Sequence, residues 1–381
     1  MEIHRLVQDK IAAQIGKQKV ILLFGTRRTG KSTIIENIAA NLPASLLLQG
    51  EDLQVASLLQ ERTLANYTRL TQGKKIIIID EAQAVPNIGL ALKFMIDNIK
   101  GITVIATGSS SFDLQSIAGE PLVGRSIVYT LYPIAQTELS RQEDFLTTNR
   151  NLEHRLIYGS YPELWHLEND NEREIYLKQL INNYLLKDIL VFERIKGADV
   201  LFRLLQLLAF QIGGEVNTVE LANTLNITRP TVERYLDLLT KVFIVFPLSG
   251  YSNNLRKEIS KRKKWYFYDN GIRNALISNF NLIADRGDVG QLWEQYIISE
   301  RIKANSYNDY FPKYFFWRTY DAQEIDFIEV NNKQQLTAIE CKWSKGKTKN
   351  ATAFLKAYPA TSLNVINRQN YLDWIVPLKK K

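Results

Sequence analysis

Eight consecutive residues, Gly25 to Ser32, read G-T-R-R-T-G-K-S and satisfy the G-x-x-x-x-G-K-[ST] pattern in full. Glycines let such a loop bring its backbone close to phosphates and turn N–H groups inward. Gly25, Arg28, Thr29 and Gly30 would line the cradle, and Lys31 would reach the β- and γ-phosphates of ATP. Ser32, followed by Thr33, would offer its hydroxyl to Mg²⁺. Downstream, Ile76 to Glu81 reads I-I-I-I-D-E. Alone it is a central strand ending in two acids. Below a phosphate loop it becomes a Walker B element, with Asp80 holding Mg²⁺ through water and Glu81 orienting the attacking water. Side chains alternate along a strand, so adjacent acids can divide those tasks. A third run, Thr103 to Thr107, leads into G-S-S, and Thr107 or Ser109 suits a sensor of the γ-phosphate. Arg125, in L-V-G-R-S, reads either as a surface arginine or as a finger acting in trans from a neighbouring subunit. The trans reading makes the chain a homo-oligomer, and a hexameric ring fits it.

These residues need a scaffold that delivers them to one edge. The strand candidates are Val20–Phe24, Leu46–Gln49, Ile76–Asp80, Thr103–Thr107 and Ile127–Leu131, separated by helix-length intervals. That rhythm predicts a parallel α/β sheet buried on both faces. Ligands of such sheets bind beyond the carboxyl ends of the strands, where all three motifs fall. The S-T-I-I-E-N-I-A-A run after the loop predicts a helix whose N-terminus adds partial positive charge.

From about Ser140 the pattern turns helical, with L-F-R-L-L-Q-L-L-A-F (Leu201 to Phe210) as a buried helix. Asn217 to Glu220 has N-cap grammar. A turn at Asn226 to Thr228 then leads to R-P-T-V-E-R-Y-L-D-L-L, with Pro230 in the first turn. This is helix-turn-helix spacing, followed by a strand-like run and the wing-like R-K-E-I-S-K-R-K-K. Read as a winged helix on DNA, it would contact the duplex through Arg229, Thr231 and Arg234. The basic run would add Arg256, Lys257, Lys261, Arg262, Lys263 and Lys264. Packing against protein alone is the competing reading.

Near the C-terminus, E-I-D-F (Glu324 to Phe327) and I-E-C-K (Ile339 to Lys342) read as two strands around a turn at Asn331 to Lys333. Pairing about that turn sets Asp326 opposite Ala338, with Glu340 a diagonal neighbour on the same face and Lys342 two residues on. Glu294, in L-W-E-Q-Y, can complete the group. Such a set can hold a divalent metal and position a water, or form a surface ion-pair ladder.

The 381 residues, 45% hydrophobic and 23% charged, are enough for two or three ordinary cores. A formal net charge of +8 fits a polyanionic partner or a mildly basic surface. The single cysteine, Cys341, excludes an intramolecular disulfide framework. Met1 to Lys10 has no apolar signal character, and the longest apolar runs are strand-sized, so a cytoplasmic setting without membrane contact is expected.

Taken in order, the phosphate loop, I-I-I-I-D-E, A-T-G-S-S, V-G-R, Y-P-I-A-Q-T-E and G-S-Y-P-E resemble the bacterial and archaeal AAA-type ATPases with a C-terminal domain of unknown function. K-K-W-Y-F-Y-D-N-G, Q-E-I-D-F and I-E-C-K resemble that domain, which is similar to restriction-endonuclease-like folds. The resemblance implies an α/β P-loop core (1–139), a helical lid (140–214), a winged helix with basic wing (215–264) and a nuclease-like α/β module (265–381). It carries Lys31, Ser32, Asp80 and Glu81 over as the ATP site and Asp326, Glu340 and Lys342 as a metal site. Three functions follow as expectations: an ATPase that remodels or translocates on DNA, an ATP-regulated metal-dependent nuclease, and a nucleotide switch of defence or signalling that binds a protein.

Overall fold

The computed structural model describes residues 3–108, 122–182, 197–252, 263–319, 323–344 and 351–376. Ser109, Arg256, Lys257, Lys261 and Arg262 lie outside them. The chain divides into two compact units: 1–133 with 241–243, and 134–240 with 244–381. Among the described residues no helix is long and apolar enough to cross a membrane.

The first unit is a five-stranded sheet of β1 (Val20–Phe24), β2 (Ser45–Gln49), β3 (Ile76–Asp80), β4 (Thr103–Gly108) and β5 (Ser126–Thr130), in the order β2-β3-β4-β1-β5. Every pair is parallel, and the bounds agree with the expected strands to within a residue. The reason lies in burial. The inner strands β1, β3 and β4 are buried at every position, as an apolar run with no alternation requires. The edge strands β2 and β5 are mostly half-buried. Leu22, Ile79, Val104 and their neighbours pack on one side against Leu59, Tyr67, Leu92 and Met95 from the flanking helices. Gly25 is required where β1 becomes the loop: a Cβ there would lie 2.2 Å from the Leu131 carbonyl oxygen.

In the second unit the described residues before β6 form helices, the last of them ending at Phe210, and a seven-stranded mixed sheet follows. Its strands are β6 (Glu215–Val216), β7 (Val245–Gly250), β8 (Lys263–Phe267), β9 (Lys313–Arg318), β10 (Glu324–Val330), β11 (Leu336–Cys341) and β12 (Ser362–Ile366), ordered β12-β11-β10-β9-β7-β8-β6. Helix Thr218–Leu225 is capped by Asn217, whose side chain accepts from the Val219 N–H. Asn226 takes the left-handed conformation (φ 53°) that turns the chain into helix Arg229–Lys241. That second helix buries Val232, Tyr235, Leu236 and Leu239 at helical spacing. A division at residue 264 does not match the sheet. β8 crosses that point, pairing antiparallel with β6 and β7, while β7 pairs in parallel with β9. Composition changes near 264, but long-range strand pairing holds the segments in one unit.

The β10–β11 hairpin also departs from expectation. Ile328 faces Ala338, and continuing that register places Asp326 across from Glu340. The loop is longer than the N-N-K turn because the Asn331 side chain accepts from both the Lys333 and Gln335 N–H groups. Two more residues therefore leave the ladder.

Helix Val289–Tyr307 is buried around most of its circumference, and its polar residues select its partners. Gln295 accepts the Phe267 N–H, Glu300 accepts the Gln136 N–H and bonds Lys303, and Asn305 bonds Glu329. The G-S-Y-P-E and Y-D-N-G runs meet at Asp269. Its carboxylate accepts from the Ser160, Gly271 and Ile272 N–H groups. Gly159 stands above it at φ 76°, ψ −154°, a region that only glycine adopts readily. A Cβ on Gly159 would lie 2.0 Å from Asp269 Oδ1. Gly159→Ala is therefore expected to destabilise the second unit by at least about 2 kcal/mol, read as a lower denaturation midpoint. An unchanged midpoint would mean that the two runs do not pack this way.

Candidate functional site

The phosphate loop leaves β1 at Gly25 and enters helix Lys31–Asn41 through Gly30, whose φ of +95° needs glycine. Thr29, wholly buried, donates its hydroxyl to the Thr26 carbonyl and tightens the loop. Lys31 Nζ donates to the Gly25 and Thr26 carbonyls at 2.9 and 3.0 Å. The ammonium is thus held inside the loop. Arg28, at φ 64°, and Thr33 are exposed.

Asp80, 5% exposed at the end of β3, joins three elements. Ser32 Oγ donates to its Oδ2 at 2.8 Å, and Thr107 Oγ1, from β4, donates to its Oδ1. Thr107 Oγ1 also accepts the Glu81 N–H at 3.0 Å. Glu81 itself is left-handed (φ 47°, ψ 48°), which turns the chain sharply off the strand, and Gln83 Nε2 donates to its carboxylate. Thr107 therefore bridges both acids of the pair, a role within reach of sequence reasoning. Gln83 was missed, because a glutamine two residues past an acid carries no motif signal.

Arg125 lies apart from this group. It precedes β5 at the amino end of the sheet, opposite the edge that carries Lys31, Asp80 and Thr107, and its Nε pairs with Asp97 Oδ1 at 2.6 Å.

The second candidate group is on β8, β10, β11 and helix Val289–Tyr307. Asp326 accepts the Cys341 N–H at 2.7 Å, and Lys342 Nζ lies 3.4 Å from Glu340 Oε2. Glu340 Oε1 is buried and has no hydrogen-bond partner among the described residues. Glu294 accepts from the Tyr266 hydroxyl at 2.5 Å and lies 3.5 Å from Lys264 Nζ. Lys264 corrects the sequence reading. It is fully buried, bonded to Glu324 and set over the Phe316 ring, so it cannot touch a duplex. The cause is that β8 is buried on both faces from Lys264 onward, with Lys263 exposed at its start, while the period of two puts Lys264 and Tyr266 on the face that meets Glu294. The same period puts Glu324 on the Asp326 face. Both signals stand in the sequence, masked by a basic run that looks uniform.

Burial raises the Glu294 carboxyl to about 7, with Lys264 pulling it down and Asp326 pushing it up. Burial likewise raises Asp326 and Glu340. Lys264 is raised, because Glu294 and Glu324 together outweigh its desolvation. Among the described residues no group of three or more His, Cys, Asp or Glu is arranged to hold a metal ion.

On the helix-turn-helix, Arg229 is exposed and paired with Glu233 at 2.8 Å. Arg234 is exposed, and Thr231 is half-buried against Thr228. Glu233 and Asp237 on the same outer surface offset Arg229 and Arg234, leaving Lys241 at the end of that helix as its net positive charge.

The parallel sheet and the loop geometry give the first unit the form of a P-loop domain, and residues 17–140 match the family model of an AAA domain, which supports an ATPase of the AAA type. Residues 149–282 and 289–376 match two domains of unknown function, DUF8612 and DUF4143. The chain is similar to an uncharacterized protein of Mycobacterium tuberculosis, 25% identical over 85% of this chain and 70% of the relative. It is also similar to one of Methanocaldococcus jannaschii, 27% identical over 77% and 70%. Among solved structures it resembles a signal transduction ATPase with numerous domains (STAND) from Pyrococcus horikoshii, with 12% identity and a TM-score of 0.31. That match covers 81% of this chain and 48% of that one, about half its length. A Cdc6p structure from Pyrobaculum aerophilum has 12% identity and a TM-score of 0.27, over 72% and 93%.

Two outcomes test the buried group. Lys264→Met strands two carboxylates and is expected to cost about 3–5 kcal/mol, whereas Lys263→Met stays within about 0.5 kcal/mol. A Lys264→Met chain as stable as wild type would return Lys264 to the surface. Between pH 4.5 and 7 folded Glu294 keeps a proton that the unfolded chain loses, so its effect on stability worsens as pH rises through that window. Denaturant titrations at pH 5 and pH 8 should show a larger loss in wild type than in Glu294→Gln; equal losses would place the titration elsewhere.

Proposed function

We propose that the chain hydrolyses ATP and couples the cycle to remodelling of, or movement along, DNA. The observation that carries the hydrolytic part is the continuous set Ser32–Asp80–Thr107–Glu81, which connects loop, Walker B strand and sensor strand. A hydroxyl beside a carboxylate at the foot of a phosphate loop is an all-oxygen donor set that fits Mg²⁺. Ser32 and Asp80 would hold the ion, which when bound neutralises charge on the phosphates. Lys31 exchanges the Gly25 and Thr26 carbonyls for phosphate oxygens. Glu81 orients the attacking water and takes its proton, Thr107 keeps Glu81 and Asp80 in register, and Gln83 holds the Glu81 carboxylate between turnovers. Arg125 faces away from its own site, so any role on phosphate is in trans and requires release from Asp97.

The DNA part is supported by helices Thr218–Leu225 and Arg229–Lys241 meeting through the left-handed Asn226, by the flanking strands β6, β7 and β8 of a winged-helix reading, and by the net charge. With Glu233 and Asp237 offsetting the arginines of the second helix, most of the phosphate contact would fall to the basic run 256–263.

A metal-dependent nuclease is the second reading, favoured by Asp326 facing Glu340 beside Lys342 with Glu294 near. It ranks lower because Lys264 already engages Glu294 and Glu324. A nucleotide switch that binds a protein partner is the reading left if DNA has no effect.

Lys31→Ala is expected to abolish ATP binding, and Glu81→Gln to keep binding while slowing turnover by about 10²–10⁴. ATPase rates with duplex, branched and single-stranded DNA, with a cleavage gel on the same samples, separate the readings. Stimulation that weakens with salt and leaves DNA intact supports remodelling. Cutting that disappears in Asp326→Ala and Lys342→Ala promotes the nuclease.

A further inference from the structure

Arg5 immediately precedes helix Leu6–Ala12, far in sequence from any motif, yet it is 7% exposed. Its guanidinium donates twice: Nη1 to the Thr29 carbonyl and Nη2 to the Tyr132 carbonyl, each at 2.6 Å. Thr29 lies inside the phosphate loop, and Tyr132 lies just past the end of β5. We propose that Arg5 is a positioning residue for ATP, holding the phosphate loop in its binding shape from behind.

The argument is one of peptide geometry. In a planar trans peptide the C=O and the following N–H point in opposite directions. Fixing the Thr29 carbonyl toward Arg5 therefore aims the Gly30 N–H away from the guanidinium. Gly30 is the residue with the most freedom to rotate: at φ +95° it has no side chain to brake it, and its Cβ direction faces Arg5 Nη1 at 3.6 Å. Without the guanidinium, the Thr29–Gly30 peptide can flip and present an oxygen to the phosphates. A carbonyl aimed at a polyanion opposes binding, whereas an N–H favours it.

The second hydrogen bond supplies the anchor. Leu131 N–H donates to the Phe24 carbonyl at 2.6 Å, and Gly25 packs against the Leu131 carbonyl. The segment Leu131–Tyr132 is thus fixed to the root of the loop, and Arg5 ties the loop's far end to the same segment. A planar guanidinium with forked donors spans two carbonyls; an ammonium would engage them less well. Both of these hydrogen bonds act on the shape of the loop, so the effect of Arg5 falls on binding.

The proposal rests on ATP binding at the phosphate loop, and Gln18 provides the control. From the amino end of the same sheet, opposite the phosphate loop, Gln18 bonds the Ile96 and Ile99 carbonyls and the Gly101 N–H, a comparable staple. Full-length wild type, Arg5→Met, Arg5→Lys and Gln18→Ala would be titrated with a fluorescent ATP analogue and assayed for KM, kcat and thermal midpoint. Arg5→Met is expected to weaken binding and raise KM by about tenfold, with a smaller change in kcat. Arg5→Lys should fall between it and wild type, and serves alone if Arg5→Met does not fold. Gln18→Ala should lose stability yet keep KM within about twofold. Equal affinity of wild type and Arg5 variants would overturn the proposal, as would an equal rise of KM in Gln18→Ala. If wild type bound no ATP, the phosphate-loop reading would fall with it.

Discussion

The carboxylate of Asp80 is the point on which the nucleotide-binding unit depends. A buried charge must be satisfied by hydrogen bonds or it destabilises the fold. Here the two hydroxyls that satisfy it come from different elements, Ser32 on the helix after the loop and Thr107 on the neighbouring strand. Satisfying one charge thereby sets the distance from loop to Walker B strand and from that strand to the sensor strand. Glu81 inherits its placement, since its N–H is tied to the same Thr107 hydroxyl. The parallel sheet makes this economical, because strands that start together also end together and deliver their terminal residues to one edge.

The second unit uses buried charge in another way. Helix Val289–Tyr307 has few solvent-facing positions, so its apolar residues alone would allow several rotations about its axis. Glu300 with Lys303 and the Gln136 N–H, Asn305 with Glu329, and Glu294 with Tyr266 and Lys264 remove that freedom. The Lys264 ammonium sits where acidic side chains from β10 and the helix converge, and it offsets repulsion that would otherwise separate them. Arg155 and Glu143, both buried, form another such pair in the helical part of the unit. Buried ionic contacts of this kind contribute specificity of arrangement more than net stability.

The two candidate sites differ in how far they could be read in advance. In the phosphate loop, function depends on residues adjacent along the chain, and local geometry at Gly25, Gly30 and Lys31 follows from residue type. At the C-terminal acids the relevant spacing runs across a hairpin. The turn looked like N-N-K, but the Asn331 side chain drew Gln335 into the loop, and Asp326 moved from Ala338 to face Glu340. A shift of two residues keeps the face of the strand and changes the partner, so the right residues converged for a reason the spacing alone did not contain. Lys264 shows the opposite case, where composition suggested a basic surface and the position of β8 between β6 and β7, buried on both faces, reversed it.

The residues by themselves determined the five parallel strands, the phosphate-loop motif, the acid pair after it and the helix-turn-helix, because each depends on short-range periodicity or on a motif whose backbone conformation is local. Only the tertiary structure decided which strands share a sheet, that β7 and β8 join the C-terminal strands, that Arg125 lies at the far end from its own nucleotide edge, and that Arg5 and Lys264 are interior. Those outcomes rest on contacts between residues tens to more than a hundred positions apart. Burial and hydrogen-bond satisfaction choose among alternatives there, and sequence spacing leaves them equivalent.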